Sequence, residues 1–100
     1  MSPLVFVRFF PRTRQEALVE KILRYMVVHT RQEPGCRRYD LYEAPGAAGA
    51  RVFCLIERYA DATAQQAHRE TAHYKDYRAT IIDALERPIE VTLLEPLDER

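Results

Sequence analysis

EPGCRRYDLYEAPGAAGARVFCLIERY, residues Glu33 to Tyr59, decides the fold. It opens on Pro34-Gly35, a pair that ends a helix. Cys36 to Glu43 then reads as a strand, Pro45 to Gly49 as a hairpin loop of small residues, and Arg51 to Tyr59 as a second strand. Strands joined this tightly run antiparallel, while any parallel neighbour needs a longer crossover. The rest of the chain supplies those crossovers.

Upstream, Leu4 to Phe10 reads as a strand stopped by Pro11. Thr13 is a candidate helix cap, with Glu16 completing a capping box. Leu18, Ile22, Tyr25/Met26 and His29 recur at helical spacing, with Glu20, Lys21, Arg24 and Arg31 on the other side. Downstream, Asp61 is a candidate N-cap for a helix that breaks near Thr71-Ala72 and resumes. Tyr74, Tyr77/Arg78, Ile81/Ile82 and Leu85 share a face of its second half. Pro88 ends it, and Ile89 to Leu94 reads as a last strand. The order β-α-β-β-α-β predicts an α+β, ferredoxin-like fold, with a four-stranded antiparallel sheet and helices on one face.

The strand pattern predicts a partner. Val52, Cys54 and Ile56 lie opposite Phe53, Leu55 and Tyr59; Leu4, Phe6 and Phe10 lie opposite Val5, Val7 and Phe9. Two helices cover one sheet face only, so the second apolar face is expected to meet another copy in a homodimer.

Composition excludes other classes. One hundred residues make one domain, and 47% hydrophobic with 30% charged residues is ordinary for a globular chain. Fifteen Lys+Arg against fifteen Asp+Glu leave no electrostatic footprint for nucleic acid or an anionic membrane. No apolar run approaches a membrane span, and Met1 to Arg12 is too short and too charged for a signal peptide. Cys36 and Cys54 fall within strands and read as buried, reduced thiols, which points to the cytoplasm.

Proton-transfer chemistry is the functional signal. Tyr39, Glu57 and His68 fall on three adjoining elements, and a phenol, a carboxylate and an imidazole in one cavity are acid–base equipment. Glu57 shares a strand face with Phe53 and Leu55, where a carboxylate has a raised pKa unless paired. A salt bridge to Arg8 is the alternative; Arg8 is also a candidate for neutralising an anionic substrate. His68 lies with Ala64, Ala67 and Thr71, small neighbours that leave room for a ligand; the alternative is a bond to a helix-end carbonyl. Tyr39 reads equally as a core aromatic or a substrate contact, and Tyr74 and Tyr77 are further candidates whose spacing also suits a core. His73 reads as a capping or surface residue, and His29 as complementing the helix dipole. His68 and His73 are five apart, which misses a shared helix face, so no metal site is expected. No nucleophile motif, phosphate loop or dinucleotide fingerprint is present.

The ordered set Pro-Gly-Cys, Tyr39-x-Leu41-Tyr42, Glu57-Arg58-Tyr59-Ala60-Asp61 and the helical His68 resembles the antibiotic biosynthesis monooxygenase family. The resemblance implies a dimeric α+β barrel of two ferredoxin-like subunits, each with a cavity between sheet and helices. It also implies oxidation of a quinol, phenolic or enolic small molecule by O2 as co-substrate, without metal, flavin or haem. In that scheme Glu57 and His68 are the catalytic candidates, one as base and one as orienting group. The chain contains no Asn and no Trp, and so lacks two of the three marks of the haem-degrading branch. A non-catalytic dimeric binding module, or an isomerase or lyase using the same base, are the alternative readings.

Overall fold

The computed structural model describes residues 2–100. The chain orders as β1 (Leu4–Phe9), α1 (Glu16–Thr30), β2 (Cys36–Pro45), β3 (Arg51–Tyr59), α2 (Ala62–Arg69), α3 (Ala72–Ile81) and β4 (Glu90–Leu94), with short 3-10 turns at Ala47–Gly49 and Ile82–Ala84. The sheet is four-stranded and antiparallel throughout, in the order β2-β3-β1-β4. This is the ferredoxin-like α+β plan, with its second helical crossover divided into α2 and α3.

Alternation along the strands builds two apolar layers. Val5, Val7, Phe9, Tyr39, Phe53, Leu55 and Tyr59 face the helices and pack against Val19, Leu23 and Met26 of α1 and Tyr77 and Ile81 of α3. On the outer face a smaller cluster joins Phe10, Val52 and Cys54, with Phe6 and Ala44 against it. Arg87 lies over the Phe10 ring, 3.5 Å from its centroid. Val91 and Leu93 of β4 share the helix side with Val7 and Val5, their pairing partners, yet remain exposed. No helix among the described residues is long and apolar enough to cross a membrane. Cys36 and Cys54 are both free thiols.

Two helical details depart from the sequence reading. Thr13 does not cap α1: Thr13 and Arg14 form a turn, Arg14 takes a positive φ of 73°, and the helix starts at Glu16 behind Gln15, which makes no side-chain cap. The turn is fixed by tertiary bonds, since the Arg12 amide donates to Ala84 O at 2.8 Å. The buried stripe of α1 is also rotated by one residue, to Val19, Leu23, Met26 and Thr30. Both stripes are apolar, so periodicity alone could not choose between them. Leu18, Ile22 and Tyr25 instead line a groove shared with Tyr77 of α3.

Candidate active site

A cavity of about 200 Å³ lies between the sheet and the α2–α3 pair. Strand register lays its floor. Tyr39, Glu57, Val5 and Leu93 are paired in one row across the four strands, with Leu41, Leu55, Val7 and Val91 in the next row. Glu57 therefore stands mid-sheet between Tyr39 and Val5, with one-twelfth or less of its surface exposed (8%). His68 and Tyr74 come down from the helices, and Arg69 and Arg78 also line the cavity.

The helix break brings the second wall into place. Asp61 caps α2, its carboxylate accepting from the Ala64 amide at 2.8 Å. At the other end Thr71 both donates its hydroxyl to His68 O at 2.8 Å and accepts from the Tyr74 amide at 3.2 Å. That double role closes α2 and opens α3 at one residue. The Pro34-Gly35 turn is pressed against α2: a Cβ at Gly35 would overlap that of Ala64. The Ala60 amide donates to Gly35 O at 2.8 Å. Glu33, immediately before this turn, is thereby held beneath His68.

Glu57 has a neutral partner. The Tyr59 hydroxyl donates to Glu57 Oε1 at 2.5 Å. Burial nevertheless outweighs that bond and raises the Glu57 pKa to about 7, with the Glu33 charge adding to the rise. Tyr39 and Tyr77 are pushed above the usual phenol range, first by burial and then by the Glu57 charge. Tyr59 is raised in the same way. These phenols stay protonated as donors, and Glu57 titrates near neutrality.

His68 is 4% exposed and ringed by aromatics, its ring centroid 5.3 Å from Tyr59, 5.8 Å from Tyr39 and 5.0 Å from Tyr74. Its Nδ1 lies 2.9 Å from Glu33 Oε2. Burial lowers its pKa, against the opposing pull of Glu33, so the neutral imidazole is favoured. Its Nε2 has no hydrogen-bond partner among the described residues, and neither has the second carboxylate oxygen of Glu57.

Of the residues singled out in the sequence, Tyr39, Glu57, His68, Tyr74 and Tyr77 meet at this cavity. Arg8 does not. It follows Val7 in β1 and so points to the outer face, where its guanidinium pairs with Glu90 at 2.6 Å. Arg69 and Arg78 are the cations of the cavity wall instead. The expectation that His68 and His73 stay apart carried continuous-helix spacing across a break that the sequence itself signals near Thr71; that break turns His73 back, and its Nε2 lies 2.5 Å from Glu33 Oε2. Glu33, His68 and His73 thus bring one ligand-type atom each within 4.8 Å of one another. Tyr59, Glu33 and His73 were not site candidates. The parity of Tyr59 with Glu57 on one strand was a usable signal; for Glu33 and His73 no local signal existed. His29 stacks on Tyr25, ring centroids 4.1 Å apart, as well as ending α1. A larger groove of about 520 Å³ between α1 and β2, lined by the Glu20–Arg24 ion pair and by Val27, Val28, Leu41 and Phe53, lies apart from these groups.

Known proteins share this fold. The antibiotic biosynthesis monooxygenase family model matches residues 4–80. Two curated relatives carry the name "putative monooxygenase". Rv0793 of Mycobacterium tuberculosis is 43% identical over 98% of this chain and 95% of its own length. YcnE of Bacillus subtilis is 32% identical over 90% of each. The structure of Rv0793 superposes with a TM-score of 0.88 at 41% identity, covering 99% of this chain and 98% of that one. That of PA3566 from Pseudomonas aeruginosa gives 0.82 at 25% identity, covering 98% and 97%. Motif order, fold and these likenesses agree: the chain belongs to the antibiotic biosynthesis monooxygenase family.

Proposed function

We propose that this protein is a cofactor-independent oxygenase of a small quinol, phenol or enol, working as a homodimer. The observation that carries the reading is that His68, whose Nε2 has no protein partner, and Glu57, with one carboxyl oxygen unbonded, line one cavity. His68 is the base. Its neutral form is favoured by burial, and its Nε2 lone pair is unclaimed. Glu57, with a pKa of about 7, carries a proton for much of the time at neutral pH and donates it as a hydrogen bond to a second substrate oxygen.

The reaction balances without an added reductant. The substrate O–H bond breaks and an N–H bond forms at His68 Nε2. The electron-rich anion then reduces O2. A hydroquinone plus O2 gives a hydroxyquinone plus water: one oxygen atom enters the ring, the other leaves as water, and the substrate supplies all four electrons. A cavity of about 200 Å³ is small beside ligand pockets of roughly 300–1,000 Å³, which favours single-ring substrates. Arg69 and Arg78 in the wall suit a substrate bearing an anionic substituent.

The exposed Val91, Leu93 and Leu94 of β4 support the dimer, whereas Phe10, Val52 and Cys54 of the outer face are already buried within one chain. Sedimentation at micromolar concentration should give twice the chain mass; a stable monomer would remove that part of the proposal. The chemistry is tested with an oxygen electrode and a panel of single-ring quinols bearing neutral and anionic substituents. Stoichiometric O2 uptake lost in His68→Ala supports it. Saturable binding of the same compounds with no turnover would make the protein a binding module, and turnover without O2 uptake an isomerase or lyase.

A further inference from the structure

We propose that Glu33 is the positioning residue of this site: it fixes His68 as the Nδ1–H tautomer, so that the bare Nε2 faces the cavity. A carboxylate can only accept hydrogen bonds. With Glu33 Oε2 at 2.9 Å and Oε1 at 3.2 Å from His68 Nδ1, that nitrogen must carry the proton. A neutral imidazole protonated there has its lone pair on Nε2, the atom that has no protein partner. His73 supports the arrangement from the other side, its Nε2 donating to the same Glu33 oxygen at 2.5 Å. The carboxylate is thus pinned between two rings, and the Gly35 turn packed on α2 keeps its backbone in place.

The same three residues have the chemistry of a metal-ligand set, but their spacing favours shared protons. Two atoms bound to one zinc ion at about 2.0–2.2 Å in tetrahedral geometry stand more than about 3 Å apart. Glu33 Oε2 and His73 Nε2 are closer than that, at 2.5 Å. The catalytic consequence rests on the oxygenase reading. When His68 takes a substrate proton at Nε2, the imidazolium formed lies directly against the Glu33 carboxylate, which stabilises it. The tautomer itself does not depend on any substrate.

Nitrogen-15 NMR of the imidazole side chains in the full-length protein tests the tautomer without turnover. His68 should show a protonated Nδ1 and a bare Nε2. Glu33→Met keeps the side-chain length and removes the acceptor, and should move His68 toward the Nε2–H form. A wild-type His68 already protonated at Nε2 overturns the proposal even if the variant fails to fold. So does an unchanged tautomer in folded Glu33→Met. Stoichiometric binding of added Zn²⁺ that shifts His68 and His73 together would also overturn it, in favour of a metal centre. On a confirmed substrate, Glu33→Met should lower kcat by up to about a hundredfold with KM little changed. A shifted tautomer with unchanged kcat would keep Glu33 in its role and sink His68 as the base.

Discussion

One face of β3 carries two charged sites that behave in opposite ways. At one end Arg51 joins Glu20 at 2.6 Å and Glu43 at 2.8 Å, in contact with water. Four residues beyond the intervening Phe53, on the same face, Glu57 has only a phenol as its hydrogen-bond partner. Hydrogen bonds from Arg24 and then Arg51 hold the Glu20 carboxyl below its usual range, and Arg51 does the same for Glu43. Burial lifts Glu57 to about 7. Strand geometry is common to both ends. What differs is desolvation and the charge of the partner, and those two terms separate an inert ion cluster from a group poised to exchange protons near neutrality.

The largest expected effect lies at the dry end. His68→Ala should lower kcat/KM by about a hundredfold or more on a confirmed substrate, measured by O2 uptake, with the fold intact by circular dichroism. The pH profile should be bell-shaped. The rate rises as His68 loses its proton, below its ordinary value of 6.5 because burial lowers that pKa. It falls as Glu57 ionises through about 7. Glu57→Gln, which stays neutral and can donate, should flatten the alkaline limb. A limb that instead rises through about 7 would make Glu57 the base.

The same substitution has a consequence for stability. The folded-state pKa of Glu57 stands above the 4.5 of an unperturbed carboxyl. The fold therefore binds this proton more tightly than the unfolded chain does. The stabilisation is full below pH 4.5 and is lost as pH rises through about 7. The difference corresponds to about 3 kcal/mol. Glu57→Gln should melt above wild type at pH 8 and close to it at pH 4; the neighbours that modulate the effect are Tyr59, Glu33 and Arg69. Equal melting curves at both pH values would mean that Glu57 is solvated or ion-paired in solution.

How much of this was legible beforehand follows from the range of each interaction. The strands, the Asp61 cap and the break at Thr71 rest on neighbouring residues, and the sequence carries them. Glu57, His68 and Tyr39 converge because topology and side-chain parity already place them on one face. Thr13 lost its cap to a bond between Arg12 and Ala84, seventy-two residues on, and that pairing leaves no local trace. Arg8 was assigned by charge complementarity to Glu57, although its parity within β1 sends it to the other face. Glu33 and His73 are forty residues apart and meet only through the Gly35 turn and the helix break. Local pattern thus predicts elements and faces. It does not predict which polar groups a loop brings beneath them.

Substitution at Gly35 loosens the buried end of β3 without altering a titrating group. Gly35→Ala places a methyl where Ala64 already stands, so the turn and α2 must separate. Overpacking of this kind costs about 1–3 kcal/mol. The melting temperature should fall by several degrees. Because Glu33 rides on the turn, the tautomer preference of His68 should weaken in the same variant. An unchanged melting temperature would mean that the turn and helix are not in contact.

The smallest effect is expected at the wet end. Arg51→Gln removes the cation shared by Glu20 and Glu43, and leaves the Phe53 ring without the guanidinium now 4.9 Å from its centroid. All three charged groups reach solvent, where ion pairs contribute little and salt screens what remains. Turnover should be unchanged, and the melting temperature should move less than in Gly35→Ala. The sign of the pH dependence is the informative part. Glu20 and Glu43 are held below 4.5, so their contribution is present above that value and fades as pH falls. Wild type and Arg51→Gln should differ slightly at neutral pH and converge in acid. Wild type and Glu57→Gln should also converge in acid but separate above neutrality with the opposite sign, the variant being the more stable. If both variants moved the melting temperature in the same direction above neutrality, desolvation would not be what distinguishes the two ends of this strand face.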